Sequence, residues 1–405
     1  MRALHIITGL GVGGAEQQLR LLLGRLPVDC DVVTLTNPGP VADGLRADGV
    51  RVTHLGMRGN RDLTALPRLT SLIRRGRYDL VHTHLYRACV YGRVAARLAG
   101  VRATVATEHS LGRAEIEGRP LTRPTRALYL RTERLGAATV AVSETVAARL
   151  RRWGVRPDRV HVVPNGIDAA GLRHDPRARA ELRERLGLGP DAYVVAGVGR
   201  LVPGKRFDVL VRAVAATPGT WLLLAGEGPE RPALAALARS LGARRRVRLL
   251  GEQTGGGVAA LLSAADLFVS PSGEEAFGLA VVEALAAGLP VLHHVCPAVD
   301  DLPPGQAPAA RRFGGTTGEL TALLRCRAAQ GQRRHPPPPA VRRYDIARSA
   351  RLVMEVYGHA LGSGRDAVPV RTVRGERVRG SAAVRYEECA GRRARRRPVR
   401  GPSRT

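Results

Sequence analysis

Lysine, aromatic rings, cysteine pairs and long apolar runs are all scarce in this 405-residue chain, and each shortage removes a class of function. The five cysteines, Cys30, Cys89, Cys296, Cys326 and Cys389, stand far apart with no C-x-x-C pair. Neither a disulfide framework nor a cysteine zinc site is expected, and a reducing compartment fits best. No stretch approaches the ~18 uninterrupted apolar residues of a membrane span. Met1-Arg2 leads into glycines and Glu16, not into an apolar leader with a cleavage site, so a cytoplasmic protein is expected. Aromatic residues are 3% of the chain and do not interleave with the arginines. Without a base-stacking platform, no specific nucleic-acid partner is expected.

What is abundant is positive charge, a net of +29. Of 64 basic residues, Lys205 alone is lysine. Residues 363–405 hold 13 Arg against four acids, a net of +9, with no apolar period, and read as a basic disordered tail. The remaining excess is diffuse, as compositional bias toward Arg would make it. Hydrophobic residues at 44% and charged residues at 24% are ordinary globular usage, and 405 residues are enough for two domains.

The first half repeats one unit, a short apolar strand, a turn and a helix-period segment. Ala3 to Thr8 followed by Ala15 to Arg25, and Leu80 to Thr83 followed by Tyr86 to Leu98, are examples. Further strands are expected near Val32, Val52, Thr104, Thr139 and Val160, then, after Pro164-Asn165-Gly166-Ile167-Asp168, near Tyr193, Trp221, Val247, Leu267 and Pro290. Strand and helix in alternation imply parallel sheets covered on both faces. The fold class is therefore α/β, with residues 1–168 as a first domain and 169–343 as a second. Ligands of such sheets bind at the carboxyl ends of the strands, here in a cleft between the domains. From Cys296 to Val341, prolines predict loops around one helix near Thr317 to Ala328. Apolar positions at helical spacing (Ile346, Ala350, Val353, Met354, Tyr357, Leu361) predict a closing helix within 344–362.

Three groups of residues carry chemistry. Gly9 to Gly14 match G-x-G-x-x-G between a strand and a helix, but Thr36 and Asn37 stand where a dinucleotide site wants an acid. NAD is disfavoured, while Gly13 and Gly14 still offer backbone N–H groups to a phosphate. Arg200 and Lys205, on a Gly/Pro loop after a strand, suit a diphosphate whose charge grows as a bond to it breaks. Glu275 and Glu283 are separated by seven residues. On a continuous helix they would lie about 12 Å apart, too far to share a proton or a metal. They fit the two ends of a nucleotide sugar, Glu275 on hexose hydroxyls and Glu283 on ribose hydroxyls, with the diphosphate near the N–H groups of Gly278 and Leu279. His82-x-His84 faces one side of a strand without a carboxylate cluster, and reads as structural or acceptor-side.

Gly13 to Glu16, the Pro164 to Asp168 hinge, Gly199-Arg200 with Lys205, Gly226 to Pro229, and Glu275 to Glu283 with Phe277 and Gly278 together resemble the retaining nucleotide-sugar glycosyltransferases of family 4. The resemblance runs in order over about Met1 to Leu292. It implies the GT-B fold, two Rossmann-like domains facing across a cleft, with the acceptor on the first and the donor on the second. It implies His109, in Glu108-His109-Ser110, as an active-site residue beside the donor sugar, Glu275 as its catalytic counterpart, and Phe277 and Leu279 in the donor loop. No metal or other cofactor is implied, the nucleotide sugar being a substrate. The expected reaction is transfer to a sugar, lipid-linked or other acceptor hydroxyl in polysaccharide, glycolipid or other glycoconjugate synthesis. One departure stands out: Cys296-Pro297-Ala298-Val299-Asp300 replaces the family's usual glycine pair and acid.

Two other readings compete. One keeps the cleft but hydrolyses or epimerises the nucleotide sugar. The other is an Arg-rich peripheral protein binding RNA or anionic lipid. Arg119, Arg123, Arg126, Arg131 and Arg134, interleaved with Leu121, Leu128, Leu130 and Leu135, would lay one helix on an anionic membrane.

Overall fold

The computed structural model describes residues 1–362 other than Arg61, Ala114, Gly118 and Pro190, so the basic tail expected at 363–405 lies outside the described residues. The first half runs β1 (Arg2–Ile7), α1 (Gly14–Leu23), β2 (Asp29–Thr34), α2 (Gly39–Ala47), β3 (Arg51–His54), α3 (Ala65–Gly76), β4 (Leu80–His84), α4 (Tyr86–Ala99) and β5 (Thr104–Glu108). A small hairpin, β6 (Glu115–Ile116) and β7 (Arg119–Pro120), precedes α5 (Arg123–Glu133), β8 (Ala138–Ala141), α6 (Glu144–Trp153) and β9 (Val160–Val162). Seven parallel strands form one sheet in the order β3-β2-β1-β4-β5-β8-β9. The central strands β1, β4 and β5 are buried on both faces, as parallel pairing under helices requires, while the edge strand β3 is largely exposed.

The second half runs α7 (Pro176–Arg185), β10 (Tyr193–Val198), α8 (Phe207–Ala215), β11 (Thr220–Ala225), α9 (Arg231–Ser240), β12 (Val247–Gly251), α10 (Gly255–Ala264), β13 (Leu267–Ser270), α11 (Leu279–Ala286) and β14 (Val291–His293). After these come α12 (Pro297–Asp300), β15 (Ala310–Arg312), α13 (Thr317–Ala329), α14 (Pro339–Arg343) and α15 (Ile346–Ala360). Its sheet has six parallel strands in the order β12-β11-β10-β13-β14-β15. Both sheets grow outward in two directions from their first strand, the doubly wound pattern that puts a ligand crevice at the strand ends.

Two sequence expectations need correcting. The segment from Cys296 to Val341 is not loops around one helix: it adds β15 to the sheet edge and two short helices, each too brief for periodicity to reveal. Nor do Arg119 to Arg134 form one helix. Arg119 pairs within the hairpin, Leu121 and Leu130 pack against the core, and Leu128 alone of the four leucines is well exposed.

Several arginines have structural work at helix carboxyl ends, where unpaired carbonyls carry partial negative charge. Arg246 donates to the carbonyls of Val214, Ala215, Thr217 and Thr220 beyond α8. Arg334 does the same at Leu262, Ser263 and Ala265 around the end of α10. Arg126, a residue of the proposed membrane face, donates to Arg152 and Trp153 at the end of α6.

The chain crosses between halves twice, at one place. Ile167 N–H donates to the Tyr344 carbonyl at 2.8 Å and Ile346 N–H to the Ile167 carbonyl at 3.0 Å. Past this crossing α15 returns to the first sheet, where Ile346, Ala350, Val353, Val356 and Tyr357 share a core with Ala3, Ile7 and Val105.

Candidate active site

The carboxyl ends of β10 and β13, neighbours in the second sheet, bring together residues 70 positions apart. Lys205 ends a short 3-10 turn after β10, and its ammonium donates to Glu275 Oε1 on the loop before α11. The glycines beneath this loop are there for contact: Leu201 N–H donates to the Glu227 carbonyl at 2.8 Å, and a Cβ on Gly226 (φ +139°) would collide with the Gly199 carbonyl. Arg200, on the same loop, is exposed, and its side chain makes no hydrogen bond or ion pair among the described residues.

Helix α11 starts at Leu279, so Glu275 lies before it and the continuous-helix spacing does not apply. Gly278 caps the helix in the left-handed region, at φ 100°, without any side-chain cap. Gly278 faces Cys296, whose sulfur a Cβ would meet at 2.5 Å. The first N–H groups of α11 are therefore left to a ligand or to water. Glu283 follows one turn into the helix. Among the described residues no group donates to its carboxyl, and burial pushes that carboxyl up to about 7. Phe277 does not present its ring to the loop: the ring packs edge-on against Tyr344, with centroids 5.0 Å apart, and the backbone carbonyl accepts from Ala298 N–H at 2.8 Å. The departing segment at Cys296 thus supports the Gly278 turn from behind.

On the first sheet, Gly13 caps α1 with no side-chain bond, and the space where a Gly14 side chain would stand is open to 4 Å. Burial raises the Glu16 carboxyl, an effect partly offset by its own backbone N–H and by the charge of Arg200 from the second domain. His109 follows β5. Its Nε2 lies 3.1 Å from His84 Nδ1, His84 Nε2 lies 3.0 Å from His5 Nδ1, and its own Nδ1 is buried without a partner. His82, beside them, contacts Tyr357 and Thr107. Burial drives His109 down to about 4 and His5 to about 3, and holds His82 and His84 well below the ordinary histidine value, with neighbouring rings adding to it. The four rings are neutral at pH 7. Ligand atoms of His5, His82 and His84 lie within 4.8 Å of one another, so this trio is where a metal could be held, although hydrogen bonds already span the rings.

The two halves of the site touch. Ser143 Oγ donates to the Ala276 carbonyl at 2.6 Å, Thr145 donates twice to Asp301, and Arg149 pairs with Glu274 at 3.2 Å. The loop after His109 joins them, with Arg113 N–H donating to Glu274. Sequence reasoning missed His5, Tyr357, Ser143, Glu274 and Asp301. Only Glu274 carried a signal, its position beside Glu275. Among the described residues no helix is long and apolar enough to cross a membrane.

Comparisons with known proteins bear on this geometry. The model of Glycosyltransferase Family 4 matches residues 12–170, and that of Glycosyl transferases group 1 matches residues 178–302. A D-inositol 3-phosphate glycosyltransferase of Salinispora arenicola is 37% identical over 325 residues, 71% of this chain and 70% of that protein. One from Actinosynnema mirum is 36% identical over 315 residues, covering 72% and 70%. Among solved structures, Anabaena HepE in complex with UDP-glucose superposes with a TM-score of 0.76 at 22% identity, over 88% of this chain and 98% of that one. With two parallel-sheet domains and relatives of this identity and coverage, the chain belongs to glycosyltransferase family 4 and is a glycosyltransferase of the GT-B fold.

Proposed function

We propose that the chain transfers a sugar from a nucleoside-diphosphate sugar to an acceptor hydroxyl with retention of configuration and without a metal. The observation that supports this reading is the contact of Lys205 with Glu275, a cation and a carboxylate held at adjacent strand ends. Arg200, Lys205 and the N–H groups of Gly278 and Leu279 take the diphosphate, with Gly13 and Gly14 approaching it from the first domain. Glu283 takes the ribose hydroxyls, Glu275 the hexose hydroxyls, and His109 orients the sugar against the acceptor. The acceptor oxygen attacks from the face the diphosphate is leaving, and its proton passes to a departing phosphate oxygen.

The relatives named for transfer to D-inositol 3-phosphate make a phosphorylated polyol the first acceptor to try. A lipid-linked acceptor at an anionic membrane, for a polysaccharide or glycolipid, is the second, supported by the exposed Arg123, Arg131, Arg134 and Leu128 of the α5 region.

A thermal-shift panel of nucleoside diphosphates and their sugars tests the donor site. Ligand at a hundred times its Kd raises stability by about 2.7 kcal/mol. Proton NMR of the product reads the anomeric configuration, and inversion overturns the mechanism. Strict dependence on added magnesium or manganese overturns the metal-free reading.

A further inference from the structure

Beneath His109, five buried side chains form one unbranched line. His5 of β1 and His82 of β4 are register partners, as are His84 of β4 and Thr107 of β5, and α15 lays Tyr357 across them. Thr107 Oγ1 lies 2.7 Å from His82 Nε2, His82 Nδ1 lies 2.7 Å from the Tyr357 hydroxyl, and that hydroxyl lies 3.3 Å from His5 Nε2. His5 Nδ1 then meets His84 Nε2 at 3.0 Å, and His84 Nδ1 meets His109 Nε2 at 3.1 Å.

Each neutral imidazole has one donor and one acceptor nitrogen, and each hydroxyl one proton. The direction of one link therefore sets the next through every imidazole. Because the Tyr357 hydroxyl can accept twice but donate once, the line has three states, the third with His82 and His5 both donating to Tyr357 and the Tyr357 proton left in the core. In the first, protons point from His109 toward Thr107. His82 then donates to Thr107, whose own proton is left in the core, since Thr107 Oγ1 has no other hydrogen bond among the described residues. In the second, Thr107 donates to His82, His82 to Tyr357, Tyr357 to His5, His5 to His84 and His84 to His109. Every proton is then used except that on His109 Nδ1, the one nitrogen of the line without a partner among the described residues, just past the carboxyl end of β5. A buried donor without an acceptor costs free energy, and only the second state places that donor on His109, the one member of the line that is not fully buried.

We infer that the line holds His109 as its Nδ1–H tautomer, a fixed hydrogen-bond donor to an oxygen of the bound sugar or acceptor, with Thr107, His82, Tyr357, His5 and His84 as positioning residues. This rests on the proposed function only in placing His109 beside the substrates. It sharpens that function, because a ring whose Nδ1 carries the proton and whose Nε2 accepts from His84 has no lone pair left for the acceptor hydroxyl. His109 stays neutral throughout, and the hydroxyl proton goes to the leaving phosphate.

The test is a two-bond proton–nitrogen correlation spectrum of the full chain labelled with 15N-histidine at pH 7.5, the His109 ring assigned through His109→Gln. The expected spectrum shows His109 protonated on Nδ1 in the free protein. Tyr357→Phe and Thr107→Val each keep the shape of the side chain and remove one link, and both raise the population protonated on Nε2. Tyr357→Phe lowers kcat about tenfold while KM for the donor stays within twofold, a split that loosened packing of α15 does not produce. Protonation of His109 on Nε2 in the wild type overturns the inference, as does a tautomer unchanged in both variants. So does stoichiometric uptake of cobalt(II) by His5, His82 and His84, since a metal takes the lone pairs the line uses. A protein that transfers no sugar yet shows the expected tautomer supports the line and refutes the functional reading alone.

Discussion

The two sheets are wound alike but filled differently. In the second, the helix-covered face around β10 is Val195, Leu222, Leu224, Val269 and Leu292, an apolar layer under α8 and α13. In the first, the face under α15 carries His5, His82, His84 and Thr107, while its opposite face is apolar with Leu4, Ile6, Val33 and Val81. A sheet that can fill one face with hydrocarbon has no need of histidines on the other for stability. The polar layer is tolerated because its members satisfy one another, and it ends at His109.

Acid should break the comparison most strongly. Rings held neutral by burial have folded pKa values below the unfolded value of about 6.5, so the stability they contribute is present above that pH and is lost as the pH falls toward the folded values. With His5 at about 3, its loss alone is on the order of 3 kcal/mol by pH 4. Trp153 and Trp221, one in each half, report the two domains separately, and the transition should reach Trp153 first. A transition that starts at Trp221 would show that the histidine layer is not the weak point.

The residues of the proposed site come next. His109→Ala on the first sheet and Glu275→Gln on the second should each lower turnover by roughly a hundredfold or more with the fold kept, as for a lost transition-state contact. Wild-type turnover in either removes that residue from the site. Lys205→Arg should lower kcat at least about tenfold, more than it weakens donor binding, because a planar guanidinium cannot follow a phosphate oxygen as a compact ammonium does. Full activity in that variant makes the lone lysine an accident of composition.

Glu283 gives a smaller effect of opposite sign to the histidines. Its carboxyl, raised to about 7, contributes stability that is present below about pH 4.5 and lost as the pH rises through 7. Glu283→Gln should therefore be more stable than wild type at pH 8, by about 1 kcal/mol after discounting for its partial exposure, and should bind nucleoside diphosphate less well. Equal urea midpoints at pH 5 and pH 8 in both proteins would refute this. The smallest effect is expected where the halves touch: Ser143 Oγ also caps α6 at Val146 N–H, and Ser143→Ala should cost about 0.5–1 kcal/mol in Tm-derived stability.

Much of this architecture is legible in the residues. The apolar runs mark many of the strands because a parallel strand must be buried on both faces, and the loop from Glu275 to Gly278 stands out because a carboxylate and a glycine precede an apolar helix. The histidine line is illegible for a physical reason. Its members sit on three strands and a helix, and nothing short of the sheet register says that His5 stands beside His82 or that Tyr357 closes over both. Cys296 misleads in the same way: as sequence it breaks a motif, while in space it backs the turn at Gly278.

The bond between Tyr357 and His5 joins residues 352 positions apart. A ribosome adding ~5–20 residues each second makes the second partner roughly 18–70 s after the first. Throughout that interval the first sheet exists as a nascent body whose polar face has no roof, and the next domain must emerge before the roof does. Maturation of the first half therefore waits on α15, the last helix among the described residues, and a chain that loses that helix to a premature stop would carry every residue proposed for donor binding yet have an unfinished first sheet.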